Sequence, residues 1–432
     1  MKILVWGLGY VGTVSATCLA QLGHEVVGVE PNLTKLRAFA KGRTAIKEPG
    51  LENLVSQAVA AGRLRATQEG SHLVPWADVS LICVGTPSAP DGSPVLTHIQ
   101  EVAGEIGQGL KQAERYHVVI LRSTVFPGTT RQMLLPLLEE HAQRSSSTDF
   151  GLVMNPEFMR ETSAVADFMS PSHTVIGQLD NRSGEVALEL YKSIDAPMKT
   201  VSLEEAELLK LASNAFHALK VGFANEMGRL CDRLSLDSHA IMGLLCADTK
   251  LNISPAYLRP GFAFGGSCLP KDLRSLTFHA RRLGAKVPIL ESITVSNCLQ
   301  VETARLKVVA LNVQRVAVLG VAFKANTDDL RESPVINLIK GLLRDGLDIT
   351  VYDPDVSLDD MLGRNRKFIE QELPRIRGIL CPTIQKALDG CQAVIVSQER
   401  PEFNAVVHEL PSHVAVLDLV QLHSYFPPAG ET

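Results

Sequence analysis

Aromatic residues are scarce in this sequence, at 5% of the chain, and none of its cysteines is spaced as CxxC. The eight cysteines, at positions 18, 83, 231, 246, 268, 298, 381 and 391, form no compact disulfide framework, so a reducing, cytoplasmic setting is the simplest expectation. There is no HExxH and no Cys/His cluster with zinc-ligand spacing, which argues against a zinc alcohol dehydrogenase, and no metal is expected. No long basic run occurs. With a formal net charge of -5 the chain has no overall field that would hold nucleic acid or an anionic membrane, so neither is an expected partner. No repeat with a period of about 20 to 50 residues is present.

One segment imitates a membrane span or a signal peptide, the apolar stretch from Ile3 to Leu22. Gly7, Gly9 and Gly12 interrupt it where such a helix would need to be strongest. They suit a strand, a tight turn and then a helix. What remains is a soluble globular composition, 45% hydrophobic and 21% charged over 432 residues, enough for two or three domains.

From residue 1 to about 180, β-branched runs (ILVW, EVVGVE, VSLICVGT, HVVILRST, GLVMNPE, HTVIGQL) alternate with helical patterns, which predicts a parallel, doubly wound α/β sheet. From about 200 to 300 helices dominate, beginning with a long periodic stretch from Leu203 to Leu234. Alternation resumes with RVAVLGVAF, DITVYDP, AVIVS and AVLDL. The expected architecture is two Rossmann-like domains, 1–200 and 301–432, joined by a central helical domain, 201–300, with one long helix.

Functional candidates stand after several of the first runs, at the strand ends where open α/β sheets bind ligands: Gly7 to Gly12, Glu30, Thr86, Thr124 and Glu157. GLGYVG carries GxGxxG after a strand and before a helix, and Glu30 stands 18 residues past Gly12. An acid there accepts hydrogen bonds from the adenosine ribose and repels a 2'-phosphate, so NAD is expected in preference to NADP. The second α/β domain has only Gly320 at the corresponding turn and is not a dinucleotide site of the same kind. Its loop FKANTDDLRESP offers Lys324 and Arg331, either as phosphate-binding cations or simply as a solvated charged loop.

In GFAFGGSCLPKD, Gly265 and Gly266 permit close backbone approach, and Cys268 precedes Pro270, Lys271 and Asp272, which read as a helix first turn. A thiol at a helix N-terminus near lysines is expected to have a lowered pKa and to act as a nucleophile; the other seven cysteines sit in apolar patterns and read as buried and inert. Lys210, Asn214, His217 and Asn225 are spaced by 4, 3 and 8 residues, which on a helix confines them to a stripe about 80° wide. A buried hydrogen-bonded stripe or a solvated face would show the same spacing. Together these parts suffice for oxidising a primary alcohol with NAD, capturing the aldehyde on Cys268 as a thiohemiacetal, and oxidising that to a thioester which water hydrolyses. Lys210 and Asn214 suit the developing oxyanions, while Glu157, Thr124 and Asp272 suit proton transfer or water positioning.

Eight blocks in order, GLGYVG, EPGLE, VGTPS, RSTVFPGTT, NPEFMRE, LKLASNAFHALKVGFANE, RPGFAFGGSCLPKD and FKANTDDLRESP, make the chain resemble the UDP-glucose/GDP-mannose 6-dehydrogenase family over nearly its whole length. The resemblance implies that Cys268 is the nucleophile and that Tyr10, Val11, Glu30, Lys35, Thr86, Thr124, Lys271 and Arg331 contact NAD. It implies substrate contacts from Glu161, Lys210, Asn214, His217, Asn225, Tyr257, Arg259, Gly265 and Lys324. It also implies a nucleotide-sugar substrate and a homodimer or higher homo-oligomer built around the central helix. His217 together with RPGFAFGGSCLPKD favours GDP-mannose over UDP-glucose or UDP-N-acetylmannosamine, and the product would then feed a uronic-acid polysaccharide such as alginate. Glu30 replaces the more usual Asp, and Ala256 stands where a second tyrosine is common.

Overall fold

The computed structural model describes the whole chain except residues 45, 92, 147, 255–256, 258–260, 267, 328, 359–368 and 421–432. It divides into two compact units, Met1–Ala218 and Leu219–Thr432.

The first unit is built on eight strands: β1 (Lys2–Trp6), β2 (Glu25–Val29), β3 (Leu64–Thr67), β4 (Val79–Ile82), β5 (His117–Leu121), β6 (Phe150–Met154), β7 (Thr174–Gln178) and β8 (Met198–Ser202). They lie in the order β3-β2-β1-β4-β5-β6-β7-β8. Every pairing is parallel except β6 with β7, which is antiparallel and departs from the wholly parallel sheet expected. Alternate residues of β1 feed two separate cores. Ile3 and Val5 pack with Val14 and Leu19 of α1 (Tyr10–Gln21) on one face. Leu4 and Trp6 pack with Ile99 and Ile106 of α4 (Thr97–Leu110) on the other. Each such side chain is fully or almost fully buried and contributes about 1.5–3 kcal/mol of transfer free energy. The remaining helices of this unit are α2 (Leu33–Phe39), α3 (Leu51–Ala60), α5 (Leu135–Ala142), α6 (Ala164–Met169) and α7 (Asn181–Glu189).

The second sheet is wholly parallel, in the order β10-β9-β11-β12, from β9 (Arg315–Leu319), β10 (Asp348–Tyr352), β11 (Ala393–Val396) and β12 (Ala415–Asp418). It too is covered on both faces, Val316 and Val318 packing with Leu338 and Leu342 of α12 (Pro334–Arg344), and Ala317 and Leu319 with Phe403. In both sheets the chain reverses its direction of winding once, between β1 and β4 and between β9 and β11, and such switch points are where ligands enter.

The long helix α8 spans Leu203–Leu234 as its periodicity predicts, and passes from the first unit into the second. After it come α9 (Ser238–Ala247), α10 (Leu269–Arg282) and α11 (Pro288–Val309). Buried Glu226 of α8 accepts from Ile289 N at 2.7 Å and Leu290 N at 3.1 Å, capping α11, whose proline at the first turn donates no amide. These helices leave large apolar side chains in solvent, among them Leu219 and Val221 of α8, Leu244 of α9 and Leu299 of α11. Cys246 and Cys298 share that exposure and Cys381 is only half-buried, contrary to the expectation of burial; around the first two, large apolar neighbours such as Leu244 and Leu299 are themselves exposed. Cys18, Cys83, Cys231 and Cys391 are buried as expected, and burial pushes the thiols of Cys18 and Cys83 up to about 12. No helix among the described residues is long and apolar enough to cross a membrane.

Candidate active site

The glycine-rich turn has the geometry a dinucleotide needs. Gly7 has φ +90° and donates its amide to Val29 O at 2.8 Å, closing the turn from β1 against β2. A Cβ on Gly12 would lie 1.8 Å from Gly7 O, so only glycine lets α1 pack on this turn. A Cβ on Gly9 meets nothing within 4 Å, and Gly9 is the N-cap of α1 without any side chain capping it. The first turn of α1 is thus left without a side-chain cap, with open space beside Gly9, at the positive end of a 12-residue helix, which fits a pyrophosphate.

Glu30 comes directly after β2 and is buried, its Oε2 accepting from Leu8 N at 3.0 Å and Lys35 Nζ at 3.1 Å, its Oε1 from Asn32 N at 3.1 Å. Lys35 is thus brought to the ribose position by Glu30. Thr86, after β4, donates its hydroxyl to Thr124 O, after β5, at 2.9 Å, joining two predicted cofactor contacts across neighbouring strand ends. The Tyr10 hydroxyl donates to Glu48, whose carboxylate also accepts from Thr162 N and Ala164 N, each at 2.8 Å. Burial and that bond push Tyr10 up to about 12. Glu161, beside this loop, is exposed.

Glu157 stands past the end of β6, and its Oε1 lies 2.8 Å from Lys210 Nζ, with both side chains about nine-tenths buried. Glu157 also accepts from Met159 N at 2.8 Å. The β6 end is held by Arg122, whose Nη1 donates to Asn155 Oδ1 at 2.5 Å and to the Tyr191 hydroxyl oxygen at 3.1 Å. A cavity of about 760 Å³ opens here, lined by Arg122, Asn155, Glu157, Phe168, Tyr191 and His217 among others. Of the polar stripe on α8, Lys210 alone is buried; Asn214, His217 and Asn225 lie on the exposed part of the helix.

In the second unit, Cys268 is exposed and is the N-cap residue of α10, with Pro270 in the first turn, as the sequence predicts. Lys271 Nζ lies 2.6 Å from Asp272 Oδ1 on the surface, and that bond raises the lysine above its ordinary value. The loop before Cys268 is tightly seated. A Cβ on Gly265 would lie 2.4 Å from Glu332 O, and Gly266, at φ +87°, packs on the Phe323 ring. Asn297 of α11 clamps the same loop through both ends of its amide, at 2.9 Å to Phe264 N and 2.9 Å to Phe264 O. Arg331 makes a two-pronged pair with Asp329, at 2.9 and 2.7 Å. Lys324 is exposed, with Nζ 5.4 Å from the Phe323 ring centroid. Tyr257 is exposed at φ +62°, while Arg259 and Ala256 lie outside the described residues.

Sequence reasoning assigned no role to Glu48, Arg122, Asn155, Tyr191 or Asn297, although the first three open the blocks EPGLE, RSTVFPGTT and NPEFMRE. Each acts on a backbone or side-chain partner at least 33 residues away, and the identity of that partner is not legible locally.

Known proteins share this arrangement. The family models for the UDP-glucose/GDP-mannose dehydrogenase family match residues 1–195 (NAD binding domain), 204–298 (central domain) and 317–423 (UDP binding domain). The chain is 42% identical over 420 residues to a GDP-mannose 6-dehydrogenase of Pseudomonas putida, covering 97% of this chain and 96% of the relative. It is 34% identical over 418 residues to a UDP-glucose 6-dehydrogenase of Haloferax volcanii, covering 95% and 94%. A ternary complex of GDP-mannose dehydrogenase from Pseudomonas aeruginosa superposes with a TM-score of 0.96 at 40% identity, covering 99% of this chain and 98% of that one. A UDP-glucose dehydrogenase from Pyrobaculum islandicum gives 0.57 at 35%, covering 98% and 94%. With three consecutive family domains matched and both lobes folded as the family requires, the chain belongs to the UDP-glucose/GDP-mannose dehydrogenase family, as an NAD-dependent nucleotide-sugar dehydrogenase.

Proposed function

We propose that the chain oxidises GDP-mannose at C6 to GDP-mannuronate, a four-electron reaction passing through a thiohemiacetal and a thioester on Cys268. The observation that carries the mechanism is the exposed thiol at the N-cap of α10. A thiol so placed can add to an aldehyde carbon and leave again when water attacks the thioester. The preference for GDP-mannose is supported by the higher identity and TM-score of the GDP-mannose relatives compared with those named for UDP-glucose.

Gly7 to Gly12, Tyr10, Val11, Glu30, Lys35, Thr86 and Thr124 would hold NAD, with contacts from Lys271 and Arg331 implied by the family resemblance, and NAD so bound would supply the electron acceptor for both oxidations. The thiolate of Cys268 adds to the aldehyde carbon, forming the C–S bond, and the resulting oxyanion takes a proton. After the second oxidation water adds to the thioester carbonyl, the C–S bond breaks, and the thiol is restored. The balance is RCH2OH + 2 NAD+ + H2O → RCOO− + 2 NADH + 3 H+. Lys210, with Asn214, stabilises the oxyanions, and Glu157, with Thr124 and Asp272, positions water and moves its proton. Glu161, His217, Asn225, Tyr257, Arg259, Gly265 and Lys324 hold the nucleotide sugar. The roles divide near residues 200 and 300 into cofactor, central and nucleotide-sugar domains.

The exposed apolar residues of α8, α9 and α11 support self-association around the central helix. We place the enzyme in the cytoplasm, supplying a uronic-acid polysaccharide such as alginate.

The deciding experiment counts NADH released per sugar consumed. Two per GDP-mannose, with a carboxylate product, is the expected result, and Cys268→Ser forms no acid. Two per UDP-glucose and none from GDP-mannose overturns the substrate; one per sugar overturns the thioester.

A further inference from the structure

We infer that Glu207 is a positioning residue that sets Thr124 in register with Lys210, a role that rests on the proposed part of Thr124 in the reaction. Glu207 lies on α8 one turn before Lys210 and is 0% exposed. Its carboxylate is occupied by donors of a single loop. Oε2 accepts from Gly128 N at 2.6 Å, and Oε1 accepts from Thr130 N at 2.7 Å and from the Thr130 hydroxyl at 2.5 Å.

That loop, residues 123–130, starts at the end of β5 with Ser123 and Thr124 and runs into a helical segment whose first turn, Thr130–Leu134, is π-wound. The wide turn leaves amides pointing out of the helix start, and a buried anion satisfies them. A second bond from α8 holds the outer side, where Glu204 pairs with Arg131 at 2.6 and 3.3 Å. The inner side is tied to the next strand end, Thr86 donating to Thr124 O at 2.9 Å and Ser123 donating to Val84 O at 2.6 Å. The loop bearing Thr124 is therefore suspended between the β4 end and the first two turns of the helix that carries Lys210 and Asn214. A buried carboxylate is an expensive way to cap a helix. Its placement one turn from Lys210 makes the cap a length gauge between the two groups.

The test is a double-mutant cycle in the full-length enzyme, with kcat and both KM values expressed per folded protein. Glu207→Gln keeps the volume but sets an NH2 against amide donors. It is expected to lower kcat roughly ten- to a hundredfold with both KM values nearly unchanged. In a Thr124→Ala background the same substitution is expected to have little further effect on kcat. Thr130→Val, which removes only the hydroxyl partner, gives the same pattern in milder form and carries the test if Glu207→Gln does not fold. A lowered Tm with kcat per folded enzyme intact overturns the inference, as does an equal fall in kcat in both backgrounds. If Thr124→Ala alone leaves kcat unchanged, the reading of Thr124 fails and the inference falls with it; a slow Thr124→Ala with additive effects sinks the inference alone.

Discussion

Glu30 and Asp353 occupy the same place in the two Rossmann-like domains. Each stands after the strand beside the central glycine turn, and each accepts the amide just past that glycine, Leu8 N at 3.0 Å and Val321 N at 2.8 Å. The turns agree as well, Gly7 and Gly320 having φ +90° and +93°, with their amides on Val29 O and Tyr352 O at 2.8 Å. Beyond the turns the two domains diverge. After Gly7 a helix starts at Tyr10, whereas after Gly320 the next helix, α12, begins only at Pro334, and Asp353 also accepts from Ala322 N, Gln398 Nε2 and Asp355 N, each at 3.0 Å.

This predicts separable effects. Glu30→Ala should raise KM for NAD by roughly tenfold or more, since about 1.4 kcal/mol is lost per tenfold, and leave KM for the nucleotide sugar nearly unchanged. Asp353→Ala strands two buried amides and should instead lower thermal stability and weaken nucleotide-sugar binding. Initial rates with each substrate varied in turn, alongside thermal melts, check both.

Gly9→Ala and Gly12→Ala should fail in different ways. A methyl on Gly9 meets open space, so the variant should melt like the parent while losing NADH binding. A methyl on Gly12 collides with Gly7 O at 1.8 Å, so the variant should be destabilised by about 1–3 kcal/mol or more as backbone must shift. Melting curves and NADH fluorescence titration separate the cases.

Glu157→Gln removes the partner of Lys210 from a site where both are largely buried. We expect kcat to fall on the order of 10²–10⁴-fold, as for a proton-transfer group. Steady-state rates across pH give the test, and an unchanged kcat would remove Glu157 from the chemistry.

His117 lies fully buried in β5, with Nδ1 3.0 Å from Ala77 O, and desolvation lowers it from the ordinary 6.5 to about 4. Its folded pKa is depressed, so the unfolded chain binds the extra proton first. Stability is complete above about pH 6.5 and is lost as pH falls toward about 4, by up to about 3 kcal/mol. His117→Asn retains a donor to Ala77 O and should flatten that window, measured as urea unfolding at pH 7.5 and 5.

Strands buried on both faces were legible in the sequence because their apolar runs are continuous. β3 (LRAT) and β8 (MKTVS) were not, and these are the two edges of the first sheet, where burial is one-sided and charged residues enter the strand. The strand at Thr174–Gln178 was legible, but nothing in its composition encodes that it runs antiparallel to β6. The site divides similarly. Gly7, Gly9, Gly12 and Cys268 announce themselves by motif. Glu48 and Glu226 fall within the quoted blocks and Glu207 does not, but the role of none of the three is legible: each is buried on backbone amides 63 to 116 residues away, and amides carry no sequence signature.

The uninterrupted winding of α8 imposes a phase on evolution. One residue inserted between Glu207 and Lys210 would turn Lys210, Asn214 and His217 together by about 100° away from the loop that Glu207 grips. Seven would return them to within about 20° of their old azimuth, though about 10 Å further along. Substitution can tune this segment; insertion and deletion cannot, so length here should be the most slowly changing quantity in the molecule.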